Sequence, residues 1–225
     1  MKRLFLTLIF AAAGAALLVS LGLWQLQRLE WKRDILERIE TTIAGPAAPL
    51  PATPDPETQK YQPVDLQGTI GEGELHVLVS VKRVGAGYRI IAPFTTEDGR
   101  TILLDRGFVA TEDMAANRQT GAAHVTGNLH WPDDRNGSTP DNDVEGNIWF
   151  ARDIEQMARV LGTEPVLVIV RAEDPTPPGV TPLPVDTSGI PNDHLQYAIT
   201  WLSLAAIWLI MTAVYVLRMR KGKEG

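Results

Sequence analysis

Two uncharged apolar stretches, residues 4–26 and 197–217, lie near the two ends of this 225-residue chain. A hydrocarbon core of about 30 Å takes about 20 helical residues, so each stretch is long enough to cross a bilayer. Whatever lies between Gln27 and His194 must then form one extramembrane domain held by two anchors.

The basic residues give the orientation. Arg218, Arg220, Lys221 and Lys223 follow the second stretch, and no Lys or Arg occurs between Arg171 and Arg218. By the positive-inside rule that tail faces the cytoplasm, or the matrix of an organelle. The first stretch is flanked on both sides, by Lys2 and Arg3 and by Arg28, Lys32 and Arg33. Two spans put both ends on one side, so the tail decides and the domain lies outside. Met1-Lys2-Arg3 and Ala11-Ala12-Ala13 resemble parts of a cleaved signal peptide. The apolar run continues past them to Trp24, which favours an uncleaved anchor. The absence of a long Arg- and Ser-rich transit segment points to a bacterial inner membrane.

The chain has no Cys, which excludes disulfides, Cys-ligated zinc, Cys-based copper carriage and covalent c-type heme. Leaving out Lys2, Arg3, the four tail cations and Glu224, 15 basic residues face 26 acidic ones. Nucleic acid is not a partner expected of such a surface.

Residues 24–43 continue the first helix, with Trp31, Ile35, Ile39 and Ile43 repeating every four positions. The Pro-rich run 46–56 reads as a stiff extended linker. Strand-like runs follow from Tyr61, with Val64 and Leu66 alternating with polar neighbours, then at 75–82, 87–94, 100–109, 125–131 and 165–171. Ile154, Met157, Ala158 and Leu161 have helical spacing between a capping Asp153 and a terminating Gly162. The expected fold is α+β: two transmembrane helices flank a mainly antiparallel β domain with one or two short helices. The segments are 1–26 (cytoplasmic N-terminus and first span), 27–60 (helical extension and linker) and 61–174 (periplasmic domain). Residues 175–193 form a Pro-rich return linker, 194–217 the second span, and 218–225 the basic tail.

At the entry to the second span, Asn192 or Asp193 can cap the helix, with Asp193 and Gln196 in loose capping-box spacing. His194 falls on the first turn, at the outer interface, and Tyr197, Ala198, Trp201, Ala205 and Trp208 follow at helical spacings on the same face. Small residues beside aromatic ones suggest a shallow slot for a flat ring. An interfacial His with belt aromatics is the plainer reading of the same residues.

Five motifs in order carry a resemblance. They are Gly22-Leu23-Trp24-Gln25-Leu26-Gln27-Arg28-Leu29-Glu30-Trp31-Lys32; Tyr61-Gln62-Pro63-Val64 with Gly68; and Gly87-Tyr88, Pro93 and Asp98-Gly99-Arg100 leading to Leu104-Asp105-Arg106-Gly107-Phe108-Val109. Trp149-Phe150-Ala151-Arg152-Asp153 and the stretch from Pro191 to Trp201 complete the set. Over nearly its whole length the chain resembles the Surfeit locus protein 1 family of cytochrome c oxidase assembly factors. It departs at Phe108, where a Trp is usual, and at Asp105, where an Asn is usual.

The resemblance implies a non-enzymatic assembly factor in the bacterial inner membrane that binds heme a. It also implies cytochrome c oxidase subunit I and a heme a synthase as partners. Carried over by position, His194 is the axial ligand of the heme iron, with Trp201 and Tyr197 beside it. A lone His can hold heme iron, and Arg28, Lys32 and Arg33 are cations of the kind propionates prefer. A heme-free scaffold that steadies subunit I is the alternative. Elsewhere His124, His130 and His76 lack the carboxylate company of a metal site. Arg89 and Arg100 read as ordinary surface charges. No Gly-x-Ser-x-Gly elbow, phosphate loop or metalloprotease helix occurs.

Overall fold

The structure, a computed structural model, describes residues 2–221; Lys223 and the rest of the expected tail beyond Lys221 lie outside the described residues. In chain order the elements are α1 (Lys2–Ile43), β1 (Pro63–Ile70), β2 (Leu75–Val81), β3 (Gly85–Thr96) and β4 (Thr101–Ala110). A 3-10 turn (Thr111–Asp113), β5 (Gly121–His130), β6 (Ile148–Trp149), α2 (Ile154–Leu161), β7 (Leu167–Asp174) and α3 (His194–Lys221) complete them. The chain forms two compact units, one from the terminal helices up to Arg38 and from Thr187 onward, the other from Ile39–Asp186.

In the helical unit, α1 and α3 are each long and apolar enough to cross a membrane, and most of their large side chains are exposed. Exposed Phe5, Phe10, Ile199, Ile207 and Met211 would be costly in water and are at home against lipid. The two helices and the sheet unit between them are the architecture of a membrane protein with a central soluble domain, and the α+β class holds.

The sheet runs β1-β5-β7-β4-β3-β2-β6, and β1 pairs a second time with β3 through Gly68–Ile70 and Phe94–Thr96. That second pairing closes β1, β5, β7, β4 and β3 into a five-stranded barrel, from which β2 and β6 extend. Closure removes the exposed edges those five strands would otherwise present. The pairs are antiparallel except β4–β7 and β2–β6. Side chains alternate as pleating requires: Leu66, Phe94, Ile102, Leu104, Leu129 and Val168 fill one core. Leu103, between two of those, points to the opposite face, where α2 packs through Ile154, Met157 and Ala158 beside Trp149. The α2 boundaries follow the sequence signals, since Asp153 Oδ1 accepts from Gln156 N at 3.0 Å and Gly162 ends the helix at φ 67°.

Both Pro-rich strips are held more closely than linkers. Ala48 bridges to Val64, donating to Pro63 O at 3.2 Å and accepting from Asp65 N at 2.9 Å. Thr181 exchanges two backbone hydrogen bonds with Phe108, at 2.7 and 2.9 Å. The second strip can approach because Gly107, at φ 124°, has no Cβ; one placed there would lie 2.3 Å from Thr181 O. Proline removes donors, but Ala48, Asp65, Phe108 and Thr181 keep theirs, so pairing survives at those points.

Gly68 does the same for barrel closure, as an added Cβ would stand 2.2 Å from Thr95 O on the facing strand. Gly68→Val should therefore part β1 from β3 and cost about 1–3 kcal/mol through overpacking. Denaturant unfolding of the two proteins in detergent measures this; equal midpoints would contradict closure at this point.

Candidate functional site

The site grows from a seam between α1 and α3. On α1 the buried positions Ala11, Ala15, Gly22, Gln25 and Leu29 are spaced to fall along one side, and on α3 Ala198 and Ala205 are almost fully buried. Small residues let the two helices approach. An added Cβ at Gly14 would meet the Trp208 ring at 2.8 Å, and one at Gly22 would meet Leu202 at 2.8 Å. The Trp208 ring is pinned there, donating from Nε1 to Ala11 O at 2.9 Å and lying 5.6 Å from the Phe10 ring. Other polar groups of the helices turn inward on their own backbone: Ser20 donates to Leu17 O, Thr200 to Gln196 O and Thr212 to Trp208 O.

At one end of this seam stands His194, the first residue of α3, half-buried. Its Nδ1 lies 2.8 Å from Oε1 of Gln25, itself a buried amide inside an apolar stretch. Among the described residues, no hydrogen bond engages His194 Nε2. The other residues expected at the site divide. Trp201 is half-buried on the stripe that carries Ala198, Ala205 and Trp208, whereas Tyr197 is 54% exposed and lies off it. Ala198 and Ala205, along which the slot was expected, are almost fully buried in the seam. Asn192 forms no cap among the described residues; its Oδ1 is buried without a partner. Of the expected cations, Arg28 lies 3.9 Å above the Trp31 ring. Gln25 carries no role in the sequence reading. Its signal was a polar amide within an otherwise apolar stretch, on the small-residue stripe of α1.

Residues 12–206 match the SURF1 family, a span that includes Gln25, His194, Tyr197 and Trp201. The chain belongs to that family. It is 31% identical over 210 residues to human Surfeit locus protein 1, covering 83% of this chain and 69% of the human one. A SURF1-like protein of Monosiga brevicollis is 33% identical over 223 residues, 90% of this chain and 84% of the relative. A bacterial SURF1-like protein, from Rickettsia bellii (strain RML369-C), is 28% identical over 209 residues, covering 88% and 86%.

Asp105 lies at the centre of a buried ionic cluster in the barrel unit. Asp105 is fully buried, 3.0 Å from Arg89 and 3.6 Å from Arg152. Burial pushes its carboxyl up against the pull of both guanidiniums. Arg152 also pairs with Asp134 at 2.7 Å, and those bonds outweigh burial to hold the Asp134 carboxyl below its ordinary range. Arg89 donates to Leu183 O at 2.8 Å, tying the return strip to the cluster. This corrects the reading of Arg89 as a surface charge. Arg100 is corrected too, since it forks onto Glu164 and reaches Pro51 O at 2.7 Å. Phe108 is buried as well, and its backbone carries the bonds to Thr181. Beside it in sequence, Arg106 and Glu173 form a buried pair at 2.6 Å. Among the described residues no group of three or more His, Asp or Glu is placed to hold a metal.

His130 borders the cluster, 5.5 Å from the Tyr61 ring, with Nδ1 closed to solvent and unpartnered among the described residues. Burial, Arg152 and Lys60 together lower its pKa to about 3. The unfolded chain takes up a proton near pH 6.5 and the folded one only near 3. The stability contributed by neutral His130 is complete above 6.5 and falls as pH drops through that window, at up to about 1.4 kcal/mol per pH unit. His130→Phe should flatten this slope between pH 6 and 4 in denaturant unfolding. An unchanged slope would contradict the assignment.

Proposed function

We propose that this protein is an assembly factor for cytochrome c oxidase that holds heme a through His194 and aids its delivery to subunit I. Family membership supports the assembly role. The single observation that carries the ligand role is the arrangement of His194, whose Nδ1 is engaged by Gln25 while, among the described residues, no hydrogen bond engages Nε2. A neutral imidazole so arranged is a competent axial ligand, and a porphyrin iron with one open side is the chemistry it would serve.

Three residues of this chain would hold the group: His194 at the iron, exposed Tyr197 one turn on, and half-buried Trp201. Because Ala198 and Ala205 are buried in the seam, the ring is met from outside it, where an apolar tail can rest in lipid. Bound heme a supplies a porphyrin iron that accepts an axial nitrogen. The role is carriage, and beyond ligation of the iron by His194 no side chain of this chain takes part in making or breaking a bond.

Arg218 and Arg220 lie in the last turns of α3, and Lys221 ends it. Their charge supports a cytoplasmic location for that end, with both termini inside and the barrel unit in the periplasm of a bacterial inner membrane. Subunit I, and the synthase that makes heme a, are the partners this location would serve.

The protein purified from cells that make heme a should show a heme a band in its reduced visible spectrum. His194→Ala should lose that band while remaining folded and inserted. Heme content unaltered by the substitution would sink the ligand role, and a heme-free wild-type protein would favour a scaffold that steadies subunit I.

A further inference from the structure

We propose that Gln25 is a positioning residue, which fixes His194 as the Nδ1–H tautomer and so leaves the Nε2 lone pair available to a metal. This role rests on the reading of His194 as a heme ligand. It is drawn from one contact, the 2.8 Å approach of Gln25 Oε1 to His194 Nδ1.

An amide oxygen can only accept, so Nδ1 must be the donor in this arrangement. A neutral imidazole carries a single ring proton, and once Nδ1 holds it, Nε2 is the bare nitrogen. Were the amide turned so that its NH2 met Nδ1, the ring proton would move to Nε2 and block ligation through that atom. The orientation of one glutamine thus decides whether His194 can bind iron.

The surroundings make Gln25 suited to this. It is 9% exposed, on the stripe of α1 that includes Ala15, Gly22 and Leu29, so packing confines its side chain. Its neighbours along that stripe are apolar, and an amide there without a partner would be destabilising. Gly22, one turn away on the same stripe, leaves room for Leu202 of α3 to lie against α1. The small residues set the distance between the helices, and the amide then sets the proton on the ring. A glutamine serving only as glue between helices would be indifferent to which ring nitrogen it met.

The test begins with the full-length heme-free protein in detergent, labelled with 15N-histidine, at a pH where His194 is neutral. The His194 signals, identified by their loss in His194→Ala, should show a protonated Nδ1 and an unprotonated Nε2. In Gln25→Leu that preference should be lost. Hemin titration should then show affinity about 10–100-fold weaker for Gln25→Leu. Gln25→Glu, which keeps an acceptor oxygen at the same reach, should restore it. A wild-type His194 protonated at Nε2 would overturn the proposal whatever the heme result. Hemin affinity lost in His194→Ala but unchanged in Gln25→Leu would overturn the positioning role alone. Hemin binding absent from the wild type, or unaffected by either change, would overturn the ligand reading and this role together.

Discussion

The close approach of α1 and α3 at Gly14 and Gly22 is the contact on which the site depends. In lipid the hydrophobic effect does not drive helices together, because the surrounding tails are as apolar as the side chains. What remains is packing and a few polar bonds, and both are present here. Glycines let Trp208 and Leu202 lie against α1, and Trp208 Nε1 binds the Ala11 carbonyl. A larger residue at either glycine would hold the helices apart and take Gln25 out of reach of His194. A polar pair at the end of an apolar seam is therefore a consequence of residues one and more turns away from it.

The barrel unit solves a different problem. Its strands close on themselves at Gly68, and its return strip is tied down at Thr181 and Leu183. A buried charge cluster sits where β3, β4 and the strip meet. Buried ion pairs add little net stability because desolvation opposes attraction, but removing one partner strands the other. Asp105, Arg89, Arg152 and Asp134 therefore constrain the fold more than they strengthen it. Their links reach from β4 to Leu183 in the strip and to the segment before α2.

Much of this was legible in the sequence, and the failures have physical causes. The strands at 75–82 and 100–109 announced themselves as β-rich runs opening just after glycines, and α2 by Asp153 and Gly162, because those signals are local. β6 was missed because two residues, Ile148 and Trp149, carry no periodicity. The Pro-rich strips read as extended linkers, with no sign of their pairing, because it depends on Val64 and Phe108, which are remote in sequence. Arg89 and Arg100 read as surface charges for the same reason, since Asp105 and Glu164 complete them only in space. At the site, helical spacing placed Ala198, Trp201, Ala205 and Trp208 together. It could not show that Ala198 and Ala205 would be buried in the seam, or that Tyr197 would lie off it. Gln25 was visible as a polar residue in an apolar stretch, but its partner lay 169 positions away.

The proposed function rests on a bond between His194 and iron, and pulsed EPR of the ferric, heme-loaded protein observes that bond directly. The chain has four histidines, so 15N-histidine labelling gives four candidates for a strongly coupled imidazole nitrogen. If His194 holds the iron, a coupled nitrogen should vanish in His194→Ala and persist when His76, His124 or His130 is replaced. A coupling that survives the loss of His194, or disappears with one of the other three, would contradict it.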